Sequence, residues 1–524
     1  MSVTKGRSRC RYSRRIAGSV SLRLANSRDF PLALSWANQF AYIQHGCVLS
    51  IKEEAPMKGT NFSRREFLRS SGLLVSGLAL SACVVATPAP SDAESMAGDA
   101  APSVMTFAWW GSPHEKDTVV NMLDAFTEAT GIPNEKHHVP YGDYMNNMQA
   151  RAAANTLPDV FYLPTPFLVA WAQKAVIKDL TDRHASDPEA AIEQIVEVNR
   201  FTIGNRVFGT GACTEPYMMF FNRKIFDDRG VDYPPATVEE AWTWDDFIAV
   251  AKQVTIDENG NSALDAGFDA ENIQTYGVDL PRWGGSWRVY SPGLWQQGSE
   301  VYSEDENTFF PDQDIAADVL QKTADTYVQH KVTASPEFLG QVGMSSIQLM
   351  ENDRLAMFLT GNWSLEALSH TDIDYGEAVV PIMGPHYTVW APSEAIGVSE
   401  QTTDIDSAWA LYKWVVFGEG SLALSRTGLW QPQREDLLLT EEGRAKWMTE
   451  GVHTQDHITA GCIPAVYNSR RMPLRLGHSE VEGRLLGPAL GPVYTGETTA
   501  QEALDSVLPE IDGFLAENPN WKPS

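Results

Sequence analysis

From Ser103 onward, short runs of β-forming residues alternate with stretches of helical period, and this alternation restricts the fold more than any other feature. Val104-Met105-Thr106-Phe107-Ala108-Trp109-Trp110 reads as a strand and Gly111-Ser112-Pro113 as a turn. Lys116 to Thr130 has helical spacing through Val119, Val120, Leu123 and Phe126, and stops at Gly131. Pro133 to Val139 reads as a second strand, Tyr144 to Asn155 as a second helix, and Pro158-Asp159-Val160-Phe161-Tyr162-Leu163 as a short apolar third strand. Such alternation argues an α/β fold of mostly parallel sheets with helices on both faces. No internal repeat is visible. The breaks near 209–216, 381–392 and 428–433 read as crossings between two lobes. They predict one lobe from 103–211 and 392–428, and another from 214–390 and 430–524.

Residues 57–83 carry a different signal. Ser63, the Arg64-Arg65 pair, Phe67 and Leu68 resemble the twin-arginine export pattern. An uncharged run follows from Ser70 to Ala82, too short for a permanent span, which needs ~20 apolar residues. It ends Leu80-Ser81-Ala82-Cys83, which resembles the lipobox of bacterial and archaeal lipoproteins, where the cysteine after the cleavage point carries the lipid. A basic start before a short apolar core is the form of a removable signal. A short buried helix beside a free cysteine is the competing reading, and it leaves the arginine pair unexplained. Residues 1–56 fit no part of such a signal and read as a mis-assigned extension, with Met57 as the start. Residues 84–102, rich in Ala, Pro, Ser and acids, read as a flexible tether. The chain is therefore expected to be exported and held at the outer face of the cytoplasmic membrane by lipid alone.

Charge narrows the partners. The first 83 residues hold 13 of the 40 Lys+Arg and 4 of the 68 Asp+Glu, so the remainder has 27 basic and 64 acidic residues, a formal charge of −37. Such a surface repels nucleic acid and anionic lipid. A remainder of about 440 residues exceeds one ordinary core, in keeping with two lobes. Besides Cys83 it has only Cys213 and Cys462, which pair or stay free with equal plausibility and form no disulfide framework. Fifteen of the 16 Trp fall in it, more than a core needs and suited to an aromatic-lined site.

Several segments, in order, resemble the extracellular solute-binding proteins of ABC importers, family 1, the sugar-binding group related to maltose-binding protein. They are Ala154-Asn155-Thr156-Leu157-Pro158-Asp159-Val160, Ala175 to Thr181, Phe221-Asn222-Arg223-Lys224-Ile225-Phe226, Gly230-Val231 with Pro234-Pro235, and Thr243-Trp244-Asp245-Asp246-Phe247. Leu355 to Trp363, with its Gly361-Asn362-Trp363, and Ala395 to Gly420 complete the set. Phe221 departs from the family's Tyr, and 257–275 is an Asp- and Asn-rich insertion. The resemblance implies the two-lobed periplasmic-binding-protein-like type II fold, with crossing hinge strands and ligand held between lobes. It implies a monomer that delivers a sugar to membrane permease subunits, without cofactor, metal or catalysis.

A pyranose has an apolar C–H face and a hydroxyl rim, so aromatic planes and carboxylates suit it. Several stacks and hydrogen bonds reach micromolar affinity, about −8 kcal/mol. By resemblance Trp363 is the first stacking candidate, against the alternative of a core Trp. Trp110 and Gly111 end the first strand, where open α/β sheets place ligands; alternation sends one of Trp109 and Trp110 to the core and the other to the cleft, with Trp110 favoured for the cleft. Tyr162 and Thr165 follow the third strand, and Asp159 reads as a structural cap. Glu215 and Tyr217 lie just after the first crossing, where a solvated Glu is the bland reading. Trp283 and Trp287, in a Gly-rich aromatic stretch, read as a second-lobe wall, and Trp390 and Glu394 sit at the second crossing. Trp244, Trp409 and Trp414 fall on helical patterns and read as packing.

A secreted carbohydrate-active enzyme and a receptor for a polyamine are the rivals. The sequence has no Gly-x-Ser-x-Gly, His-Glu-x-x-His or Cys-x-x-Cys. His453-x-x-x-His457 near Cys462 has metal-like spacing but no fourth ligand. Asp257-Glu258-Asn259-Gly260-Asn261 starts like a calcium loop, yet Ser262 and Phe268 stand where Gly and Glu are required.

Overall fold

The computed structural model describes residues 103–280 and 287–523; Arg64, Arg65, Cys83 and Trp283 lie outside them. In chain order the strands are β1 (Met105–Trp109), β2 (Asn134–His138), β3 (Val160–Leu163), β4 (Arg200–Ile203), β5 (Arg206–Gly211), β6 (Tyr217–Asn222) and β7 (Ile256–Asp257). They continue with β8 (Ile273–Asp279), β9 (Leu355–Gly361), β10 (Tyr375–Ala378), β11 (Val389–Trp390), β12 (Ala395–Val398) and β13 (Ser469–Arg470). One sheet runs β2-β1-β3-β12-β5-β4 and a second β10-β6-β9-β8-β7, while β11 pairs with β13. Helices flank both sheets.

Local chemistry explains the first units. The helix Pro113–Thr130 begins three residues before the apolar period does, because Ser112 caps it by accepting from the Glu115 N–H and Pro113 opens it. It stops where Gly131 takes φ 75°. All of β3 is buried, which is why it reads as an unbroken apolar run; β2 is an edge strand and carries polar residues. Asp159 ties β1 to β3: its Oδ2 accepts from Thr106 N (2.9 Å) and Oγ1 (2.6 Å), and its own N–H donates to Thr106 Oγ1 (2.8 Å). Both sheets are mixed. Pairing is parallel in β2-β1-β3 and β8-β9 and antiparallel in every other pair of the two sheets, including the returning β12 against β3 and β5. Gly209 permits that arrival, since a Cβ there would stand 2.5 Å from the Ile396 carbonyl oxygen.

The chain leaves the first sheet after Gly211, enters the second at Tyr217 and returns at Ala395. The connecting segments lie side by side: Glu215 N–H donates to Ala391 O (2.8 Å) and Thr214 N–H to Gln431 O (2.6 Å). Phe107, Trp109, Phe161 and Tyr412 centre the core of the first sheet. Tyr290, Trp295, Leu320 and Leu504 centre another, built by the helices Trp287–Gln296, Gln313–Val328 and Ala500–Glu517. After that last helix the tail turns back, and Trp521 packs on Phe208 at 6.0 Å.

The Asp-rich insertion is self-contained. The Asp257 carboxylate accepts from the N–H groups of Asn259, Asn261 and Asp269 and from Asn261 Nδ2, which consumes its lone pairs locally. Cys213 and Cys462 are both buried and free. Among the described residues, no helix is long and apolar enough to cross a membrane, and no group of three or more His, Cys, Asp or Glu is arranged to hold a metal.

Half-buried His453 and buried His457 instead form a pair, ring centroids 5.2 Å apart, against Trp447. His457 Nδ1 lies 2.6 Å from Glu377 Oε2, and His453 Nδ1 accepts from the Thr449 N–H. Burial, then the neighbouring His457, hold the His453 pKa down to about 3. An unfolded histidine binds a proton near pH 6.5, so between about pH 6.5 and 3 the unfolded chain takes up a proton that the folded one refuses. Stability is therefore expected to fall as pH drops through that window. In urea titrations from pH 7 to 4.5, His453→Gln should show a shallower decline than the parent; equal slopes would refute it.

Candidate ligand site

The site stands where the crossing segments meet the ends of β1 and β3. Trp109, inside the sheet, is fully buried. Trp110, one residue on, is half-buried, and its ring meets Tyr144, Tyr162 and Tyr141 edge-on at 4.9, 5.0 and 5.5 Å. Tyr144 is pinned from below: its hydroxyl donates to Tyr162 O (2.8 Å), with Ala108 O at 3.2 Å. Gly111 lets the Glu115 side chain fold back over it, for a Cβ at 111 would collide with the Glu115 carboxylate.

On the opposite side Tyr217, Trp287, Trp363 and Trp390 make one aromatic cluster. Tyr217 contacts Trp363 at 5.6 Å and Trp390 at 5.4 Å, and Trp287 meets Trp390 at 5.0 Å. Gly361 is required by the turn that carries Trp363, because a Cβ there would fall inside the Trp363 ring. Trp363 is half-buried and packs against both the first-sheet core and the helical core, so it bridges them. Tyr162, Tyr217, Trp287 and Trp390 are buried, whereas Trp110, Gly111, Thr165, Glu215, Trp363 and Glu394 are half-buried.

Charge is concentrated here. The Glu394 carboxylate accepts through Oε2 from Thr165 N (2.6 Å) and Thr165 Oγ1 (2.8 Å), and through Oε1 from Arg288 Nη2 (3.2 Å). The Arg288 guanidinium lies 4.1 Å from the Trp287 ring and 5.1 Å from the Trp390 ring. Arg288 thus joins the helix Trp287–Gln296 to the first-sheet side, and Glu482 fixes the start of that helix by accepting from Trp287 N (2.7 Å). Burial and the nearby Glu394 push Glu215 up to about 8, with Arg288 opposing. Burial and Glu215 push Glu115 up to about 8 as well, and Glu366 adds to it. Beyond Trp390 lies a void of about 20 Å³, bounded by Thr165, Trp287, Trp390, Arg471 and His478.

The structure therefore gathers Trp110, Gly111, Tyr162, Thr165, Glu215, Tyr217, Trp287, Trp363, Trp390 and Glu394 around one interlobe region. Sequence reasoning overlooked Glu115, Tyr141, Arg288 and Glu366. Only Arg288 had an available signal, its position directly after Trp287 in the aromatic stretch. Glu115 is the first-turn acid of a capped helix, a position that reads as ordinary.

Residues 121–450 match the family model described as bacterial extracellular solute-binding protein. The chain belongs to this family. Its relatives are binding proteins. The erythritol/L-threitol-binding protein of Mycolicibacterium smegmatis is 28% identical over 313 residues, 53% of this chain and 61% of that protein. The melibiose/raffinose/stachyose-binding protein MelE of Bacillus subtilis is 26% identical over 38% of this chain and 44% of its own. These matches span less than two thirds of either relative. Among solved structures, an ABC substrate-binding protein from Listeria monocytogenes in complex with cycloalternan superposes with TM-score 0.67 at 18% identity, covering 79% of this chain and 99% of that one. The maltose/maltodextrin-binding domain MalE of Bdellovibrio bacteriovorus bound to maltotriose gives 0.60 at 15%, covering 79% and 100%. This solute-binding protein thus has the two-lobed, MalE-like fold, two helix-flanked sheets joined by crossing segments. Membership in an extracellular family marks it as a protein that acts outside the cytoplasm.

Proposed function

We propose that this solute-binding protein is a lipid-anchored monomeric receptor that captures a mono- or oligosaccharide between its lobes and delivers it to the permease of an ABC importer, without catalysis. The observation that carries the reading is the interlobe region itself. Trp110, Trp363, Glu215 and Glu394 are all half-buried there, and apolar planes beside carboxyl groups are what a sugar ring requires. Trp110, Gly111, Tyr162, Thr165, Glu215, Tyr217, Trp283, Trp287, Trp363, Trp390 and Glu394 are the proposed contacts. The lobes are 103–211 with 392–428, and 214–390 with 430–524, and ligand closes them about the crossings. Twin-arginine export through Arg64 and Arg65, and a lipid on Cys83, would keep the receptor beside its permease.

Calorimetry and Trp fluorescence with a panel of neutral sugars and polyols test the reading. Saturable micromolar binding without turnover is expected. Product release from an oligosaccharide, or binding of a linear polyamine alone, would overturn it. Cys83→Ala is expected to release the protein into the medium, measured by fractionation; retention with the membrane would refute the anchor.

A further inference from the structure

Three residues that bound the void beyond Trp390 carry a buried nitrogen without a hydrogen-bond partner: Arg471 at Nη1, Trp390 at Nε1 and His478 at Nε2. Distant segments bring them together. β11 pairs in parallel with β13 and sets Trp390 opposite Arg470, so Arg471 is the next residue on. The Arg471 guanidinium lies 5.6 Å from the ring of Phe201, a member of the first-sheet core. His478 is held by Tyr302, whose hydroxyl is 2.7 Å from Nδ1. Thr165, Trp287 and Trp390 bound the void and belong to the ligand site as well, so the two adjoin. The other donors on the void are spent. Thr165 donates to Glu394, and Arg475 donates to the carbonyls of Glu306, Leu476, Leu515 and Asn518. Among the described residues no Asp or Glu bounds the void. A cationic donor closed off from water without a partner is costly, and pairing with an anion relieves the cost.

We propose that the receptor prefers a sugar acid, its ring or carbon chain in the interlobe site and its carboxylate turned past Trp390 into this void, where the Arg471 guanidinium and the Trp390 indole N–H donate to it. This rests on the sugar-receptor reading and narrows its ligand class. Burial draws the Arg471 pKa down to about 10, with exposed Glu197 opposing, so the guanidinium stays charged at neutral pH. Glu482 does not repel the ligand. Its Oε2 is 3.8 Å from His478 Nε2, and burial holds its pKa up at about 8, so it carries a proton at neutral pH. Size decides among anions. The void of about 20 Å³ admits about one water-sized atom, since a water needs ~10–15 Å³. One carboxylate oxygen fits that space, and a tetrahedral phosphate or sulfate head does not. The acidic surface does not forbid such a ligand, because exposed charges beyond about 8 Å are screened at physiological ionic strength and a buried pair is screened far less.

The test is a calorimetric titration at pH 7 with matched pairs: glucose and glucuronate, galactose and galacturonate, sorbitol and gluconate. Glucose 6-phosphate supplies the tetrahedral anion. The buffer is free of chloride, which would compete for the same donors. Within the pair that fits, the acid is expected to bind roughly tenfold tighter than its neutral partner, because charge-assisted hydrogen bonds are about twice as strong as neutral ones. Arg471→Gln should collapse that ratio toward one, whatever happens to the absolute affinities, and Arg471→Lys should keep part of it; circular dichroism checks that each variant is folded. The comparison in the parent protein stands even if both variants misfold. Acids binding no tighter than their neutral partners would overturn the inference and leave the sugar reading standing. So would an acid preference that survives Arg471→Gln, or a phosphate ester that outbinds every carboxylate. No binding by any member of any pair would overturn both.

Discussion

Glu394→Ala is expected to lower unfolding free energy by about 2–3 kcal/mol and to abolish detectable ligand binding. One carboxylate holds three donors, Thr165 N and Oγ1 on one side and Arg288 Nη2 on the other. Its removal strands the guanidinium between the Trp287 and Trp390 rings, where Arg288 Nε already lacks a partner. Breaking a fully buried pair costs roughly 3–5 kcal/mol; these side chains are 17% and 15% exposed, which trims the figure. The penalty belongs to the stranded charge more than to the lost attraction. Adding Arg288→Met to Glu394→Ala should therefore recover part of the stability, so the double variant falls short of the sum of the singles. Urea denaturation measures both. Strict additivity, or a loss under about 0.5 kcal/mol for Glu394→Ala, would show the pair to be solvated.

Trp390→Ala is expected to cost about 3–5 kcal/mol, the range for emptying a buried aromatic site. Trp390 is 1% exposed and is the shared neighbour of Tyr217, Trp287 and Arg288. Its Nε1 has no hydrogen-bond partner, so truncation forfeits packing and the cation–π contact and breaks no hydrogen bond. The void already present beside it gives the neighbours no rigid wall to collapse onto. Trp390→Phe keeps one ring and leaves a smaller cavity, so it should cost less than Trp390→Ala. Binding should weaken with Trp390→Ala even where stabilising solutes keep it folded, because Trp287 and Tyr217 lose the edge that orients them. A loss under about 1 kcal/mol in thermal or urea unfolding would place Trp390 outside the core.

The first strand and helix were legible because their causes are local. Alternation buries Trp109 and leaves Trp110 at the rim, and Ser112 with Pro113 opens a helix that Gly131 closes. The apolar run of β3 likewise marks a strand covered on both faces. Sheet direction was less legible. Strand–helix alternation argues parallel neighbours, yet β12 enters beside β3 from a distant part of the chain and runs against it. No local period encodes which strand a returning segment will meet.

What the sequence determined by itself was the class of molecule. Its alternating elements argued an α/β fold, its ordered motifs resembled a two-lobed solute-binding family, and aromatic residues at strand ends and crossings were the candidates for a site. What only the tertiary structure decided was how charge is shared there. Thr165 and Glu394 are 229 residues apart, and Arg288 and Glu394 are 106 apart. A carboxylate in a sequence looks the same whether it meets an arginine, another carboxylate or water. Folding assigned Arg288 to Glu394, set Glu215 near both of them, and buried Glu115 close to Glu215. Protonation and ligand preference depend on distance and desolvation, which the chain acquires only when remote segments are brought together.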